Sequence, residues 1–163
     1  MIGIALLQRS LTHTHNLRVG EVTKDHSVTA EQDRPADPED LIYRRVPADH
    51  WQEDAEGNIT LQSSAFSLSS SNYGMSVGCG WVDQLDEEPL RVLKDYPGQA
   101  LVSVPRSVVE EHEELWVEVD GDPDPWHGNV FRGRPPQRKL STGMARLLKR
   151  RAAWVVSPSQ LGD

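Results

Sequence analysis

Cysteine is almost missing from this chain. Its 163 residues contain one, Cys79, so neither an internal disulfide framework nor a cysteine-rich zinc site can be built from it. Long apolar runs are missing as well. Nothing approaches the roughly 18 consecutive apolar residues of a membrane-spanning helix, and no membrane partner is expected. Aromatic residues make up 6% of the chain and the whole hydrophobic set 37%, against 26% charged. That is a lean supply for a core, so part of the chain is expected to stay outside it. The regular alternation of strand and helix that marks a doubly wound sheet is absent. So are a zinc finger, an RNA-recognition signature and a glycine-rich phosphate loop. Residues 1–7 are apolar, yet no basic stretch precedes them and no small-residue cleavage site follows promptly, so they are not read as a signal peptide. A single thiol suits a reducing compartment, and the expectation is a cytoplasmic protein.

What is present suits one domain, with a core able to bury about two thirds of the unfolded surface. Residues 1–40 hold few apolar side chains at no regular period and are expected to form a flexible arm. A single domain is expected over 41–158, with a short tail at 159–163. The pair His13 and His15 could touch a metal, but two imidazoles alone make a weak site, and they are read as surface histidines; no metal site is expected.

Within the domain, Leu41-Ile42-Tyr43-Arg44-Arg45-Val46 predicts a strand stopped by Pro47. Gly57-Asn58 predicts a turn, and residues 59–66 a second strand. A serine-rich stretch follows from Ser63 to Ser71, and Met75-Ser76-Val77 reads as a brief strand between glycines. Pro89 opens and Pro97-Gly98 closes a short helix. Residues 100–104, 115–119 and 129–132 read as strands. Ser107 with Glu110 has capping-box spacing and predicts a helix to about Glu114. Ser141 can cap a last helix whose Met144, Leu147, Leu148 and Ala152 form one stripe. The predicted fold class is α+β, a mixed or antiparallel sheet with about three short helices.

Charge is divided along the chain. Residues 1–124 hold 9 basic and 24 acidic residues, whereas residues 125–163 hold 8 basic residues and one acidic, Asp163. Such asymmetry suggests an anionic partner for the basic end, or its own acidic middle. Arg132, Arg134, Arg138, Lys139, Arg146, Lys149 and Arg150 are the candidate binding residues. The preferred reading is a small binding or accessory protein with a protein partner. Nucleic acid is a further alternative, not favoured, whose binding would weaken steeply with salt.

Three motifs touch on chemistry. Gly74-Met75-Ser76-Val77-Gly78 is a literal G-x-S-x-G, which in α/β-hydrolases lifts a serine onto a strand-to-helix turn. Here no helix follows, the chain is short for that fold, and a Ser–acid–His order could be met only by Asp120, Asp122 or Asp124 with His127. That pairing looks cramped, so the match is read as coincidence. Asp120-Gly121-Asp122-Pro123-Asp124-Pro125 imitates a calcium loop, but Pro125 and Phe131 stand where glycine and glutamate are needed. His127, beside these carboxylates and behind Trp126, could act as an acid or base near neutral pH.

The segments Tyr43-Arg44-Arg45-Val46, Ser63-Ser64-Ala65-Phe66-Ser67, Met75-Ser76-Val77 and Asp124-Pro125-Trp126-His127 together resemble a family of short uncharacterised bacterial proteins, over roughly residues 41–156. A fainter resemblance is to the ADP-ribosyltransferase-like fold, including the RES-type toxins. That resemblance implies an NAD-using transferase or hydrolase. Arg44 would hold the pyrophosphate, Ser63 or Ser64 would support the nicotinamide side, and His127 would stand where many members carry glutamate. No cofactor is expected outside that reading.

Overall fold

A computed structural model describes residues 40–67, 74–133 and 138–161. The arm at 1–39, its two histidines, Arg134 and the end of the tail lie outside them. Eight strands are described: β1 Leu41–Val46, β2 Trp51–Glu53, β3 Ile59–Leu61, β4 Met75–Cys79, β5 Ala100–Pro105, β6 Leu115–Val119, β7 His127–Arg132 and β8 Ala153–Val156. Two α-helices accompany them, α1 at Arg106–Glu110 and α2 at Thr142–Arg151. The expected α+β class holds, and the sheet is antiparallel. Six strands run in the order β6-β7-β4-β1-β5-β8, while β2 and β3 pair as a separate hairpin about Gly57, whose φ is +83°.

Strand β1 sits near the middle because both its faces are useful. Ile42, Tyr43 and Val46 are buried, and Tyr43 stands opposite Gly78 of β4 on one side and Ser103 of β5 on the other. Strand alternation places Tyr43 and Arg45 on one face of the sheet and Arg44 on the other. Arg44 Nε donates to the Ala65 carbonyl at 3.1 Å, so the 3-10 turn Ser63–Phe66 lies on the Arg44 face. Phe66 is fully buried there, and α2, whose Met144, Ala145 and Leu148 are buried, packs on that turn. The opposite face is roofed by the turns after β4. Leu85, Val92 and Trp126 close over Gly78, where an added Cβ would stand 2.9, 3.0 and 3.3 Å from them. A glycine is required at 78 for the roof to reach the sheet.

Three local expectations are corrected. Residues 89–96 form a 3-10 turn, Pro89–Leu93, rather than an α-helix, leaving two α-helices among the described residues where about three short helices were expected. Residues 59–66 are a three-residue strand followed by the Ser63–Phe66 turn, because burying Phe66 under α2 outweighs extension. Ser107 lies inside α1, whose N-cap is Pro105 without a side-chain hydrogen bond. Ser141 does cap α2, its Oγ accepting from the Met144 N–H at 3.2 Å. Among the described residues no helix is long and apolar enough to cross a membrane.

Candidate active site

The antiparallel register of β4, β7 and β6 assembles three side chains that are far apart in sequence. Gly78 lies opposite His127 and Ser76 opposite Asn129. Ser76 and His127 therefore share one sheet face as diagonal neighbours, within reach of each other. Across the next pairing Val119 lies opposite Gly128, and just beyond it the Asp120 amide donates to the His127 carbonyl at 3.1 Å. Asp120, His127 and Ser76 thus stand in a row across three adjacent strands.

Their side chains connect. Ser76 Oγ is 2.8 Å from His127 Nε2, and His127 Nδ1 is 2.5 Å from Asp120 Oδ1. The other carboxylate oxygen of Asp120 accepts from Asn129 Nδ2 at 2.7 Å. A carboxylate oxygen can only accept, so Nδ1 carries the proton and donates to Asp120. In the neutral imidazole that leaves Nε2 as an acceptor, and the Ser76 hydroxyl donates to it. Asn129 is buried and fixes the carboxylate from behind, as an outer partner fixes a working histidine's orientation.

The backbone of Ser76 is also held. Strands β1 and β4 pair only at Ile42 with Cys79 and Tyr43 with Gly78, and they part beyond that point. Arg44 Nη1 donates to the Ser76 carbonyl at 2.8 Å, so a guanidinium meets the carbonyl where the ladder stops. With its Nε on Ala65, Arg44 ties the serine-bearing strand to the Ser63–Phe66 turn. Burial, reinforced by the charge of Arg45, lowers its pKa to about 10. The first glycine of G-x-S-x-G is steric too. A Cβ at Gly74 would come within 2.7 Å of Phe131 and 2.9 Å of Asn129.

The row opens on a cavity of about 350 Å³ lined by Ser76, His127, Arg44, Arg45, Tyr96 and Trp126, with Asp95 and Asp124 among the other wall residues. Its size suits a small molecule. The His127 side chain is 16% exposed, shielded from bulk water yet reachable from the cavity. Arg45 stacks on Tyr96, its guanidinium carbon 3.3 Å from the ring centroid. Burial lowers the Arg45 pKa, with Tyr96 and Asp124 acting the other way.

Of the residues singled out from the sequence, Arg44 and His127 both line this cavity, although the Arg44 side chain turns to the other face of the sheet. Ser63 and Ser64 do not line it. They begin the turn beneath Arg44. Ser76 was visible as the centre of G-x-S-x-G, and the pairing of His127 with Asp120 that looked cramped is formed. They stand seven positions apart, and a hairpin brings such positions face to face. Asn129 went unnoticed, although its place two residues after His127 on one strand was the available signal. Among the basic candidates, Arg132 and Arg138 both pair with Glu114, at 3.3 and 3.2 Å. Lys139, Arg146 and Arg150 are exposed and Lys149 is half-buried. Compared with family models, curated proteins and solved structures, the chain matches none.

Proposed function

We propose that this protein is a small serine hydrolase acting by acyl transfer, with Ser76 as nucleophile, His127 as general base and Asp120 as the group that orients it. The observation that carries this reading is the unbroken relay from Ser76 Oγ through His127 to Asp120, facing a small-molecule cavity. These residue types in this order are the working parts of nucleophilic catalysis on unrelated folds, recognised by geometry and roles.

The steps follow from the hydrogen bonds. Ser76 Oγ attacks the carbonyl carbon of an ester while its proton passes to His127 Nε2, and the carbonyl electron pair moves onto oxygen. Asp120 stabilises the imidazolium through Nδ1–H. When the tetrahedral adduct collapses, the leaving oxygen takes the proton from Nε2 and departs as the alcohol, leaving an acyl group on Ser76. Water repeats the sequence, giving its proton to Nε2 as it attacks, and Ser76 recovers a proton as the acid leaves. General acid–base assistance of this kind contributes about 10²- to 10⁴-fold.

The test is steady-state hydrolysis of 4-nitrophenyl acetate by the full chain. Turnover above buffer is expected, abolished in Ser76→Ala and lowered at least about 10²-fold in His127→Ala. Turnover unchanged in Ser76→Ala would contradict the reading.

A second reading rests on α2. Among the described residues no ion pair within 4 Å involves Arg146, Lys149, Arg150 or Arg151, so this helix presents unneutralised positive charge to a macromolecular anion. Retention of duplex DNA that falls steeply with salt would support it. No retention at low salt would remove nucleic acid as the partner.

A further inference from the structure

Resting on the hydrolase reading, we infer that the substrate is a small ester carrying a carboxylate, and that Arg45 is the residue that receives that carboxylate. The two consecutive arginines of β1 divide their tasks. Arg44 holds the carbonyls of Ala65 and Ser76 and belongs to the scaffold of the nucleophile. Arg45, on the opposite face, is held by a ring. Its guanidinium lies over Tyr96, a contact that uses the flat face of the group and leaves its N–H edge to bond in plane. Among the described residues no ion pair within 4 Å involves Arg45. The carboxylates that share the cavity wall are Asp95, which is exposed, and Asp124, which acts on Arg45 from beyond ion-pair distance. A partly desolvated guanidinium without a carboxylate partner is costly unless something meets it.

Position gives the spacing. Tyr43 stands opposite Gly78, so two residues along each strand Arg45 and Ser76 share the same face and level, on the two sides of the gap where β1 and β4 part. An ester seated with its carbonyl at Ser76 Oγ would carry a carboxylate across that gap to Arg45. The guanidinium fork matches a carboxylate in two parallel hydrogen bonds, and a contact of this type separates charged from neutral substrates.

The experiment compares 4-acetoxybenzoate with its neutral isostere 4-acetoxybenzamide, using the full-length protein. The carboxylate ester is expected to be favoured by about tenfold or more in kcat/KM, the scale of one charge-assisted hydrogen bond. Arg45→Met is expected to collapse that ratio towards one, and Arg45→Lys, which keeps the charge but loses the fork, to retain part of it. Equal kcat/KM for the two esters in the wild type would overturn the inference, while Ser76-dependent turnover of 4-acetoxybenzamide would leave the hydrolase reading standing. Turnover of neither ester, together with no Ser76-dependent hydrolysis of 4-nitrophenyl acetate, would overturn both. Should Arg45→Met fail to fold, inhibition of the wild type by 4-hydroxybenzoate and by 4-hydroxybenzamide reads the same preference. Stronger inhibition by the carboxylate is expected, and equal inhibition would contradict it.

Discussion

At His127 two short contacts impose one proton arrangement, and its consequences can be separated by substitution. Asp120→Asn offers Nδ1 an amide in place of a carboxylate, so the ring can turn its unprotonated nitrogen to that side and face Ser76 with an N–H. Ester hydrolysis is then expected to fall by about 10³- to 10⁴-fold, while the melting temperature moves little, because the Asp120 side chain is 37% exposed and tolerates a neutral isostere. A low-field proton resonance from His127 Nδ1–H, present in the wild type and absent in Asp120→Asn, would report the same change without activity. Unaltered hydrolysis in Asp120→Asn would deny Asp120 its role. Cys79 gives a different test at this scale. Burial pushes its thiol from the ordinary value of about 9 up to about 12. The folded chain therefore keeps the proton where the unfolded chain releases it, so stability is intact below about pH 9 and declines as pH rises from there towards 12. A melting temperature that falls as pH rises from 9 towards 12 is expected, with a shallower fall in Cys79→Ala.

Elements explain which parts of this arrangement were legible in advance. Strand β1 is a β-branched and aromatic run closed by a proline, and its observed limits coincide with that reading. Helix α2 begins where Ser141 can cap it, and Ser141→Ala is expected to cost about 1 kcal/mol in urea unfolding. Strand β8 follows α2 after one residue without a turn signal, and β2 is three residues long. Neither could be read from local pattern, since pairing partners rather than propensity define them. The site was hidden for the same reason. A serine in G-x-S-x-G is usually placed by a strand-to-helix turn, whereas here Ser76 stays inside β4 and its partners arrive through cross-strand register. Both glycines of the motif are explained by close packing instead of a turn. Gly78→Ala would drive a methyl into Leu85 and Val92 and is expected to destabilise by about 1–3 kcal/mol, with a matching loss of hydrolysis as the cavity roof lifts. Wild-type stability in that variant would show that the roof is loose.

Across the whole molecule, the charge division seen in the sequence becomes two separate features. Part of the basic segment closes on the acidic middle through Glu114, which meets both Arg132 and Arg138. Arg146, Lys149, Arg150 and Arg151 lie on α2 outside any ion pair among the described residues. The sheet keeps these apart from the chemistry: α2 packs on the Arg44 face, and the cavity with Ser76 opens on the Arg45 face. Arg44 is the side chain that ties the two layers, through the Ala65 and Ser76 carbonyls; in the sequence it stood out through the resemblance to the ADP-ribosyltransferase-like fold, not through this structural tie. Activity at the cavity and any binding at α2 are therefore expected to be separable by mutation.

In the proposed reading Ser76 is an activated nucleophile. The most direct measurement of this is covalent labelling of the native full chain with a neutral alkyl fluorophosphonate, which adds phosphorus to the serine oxygen with loss of fluoride, followed by mass-spectrometric mapping of the adduct. One adduct is expected, on Ser76, absent after unfolding the protein before labelling and strongly slowed in His127→Ala. An unlabelled chain, or phosphonate scattered over other serines at the same rate in wild type and His127→Ala, would contradict it.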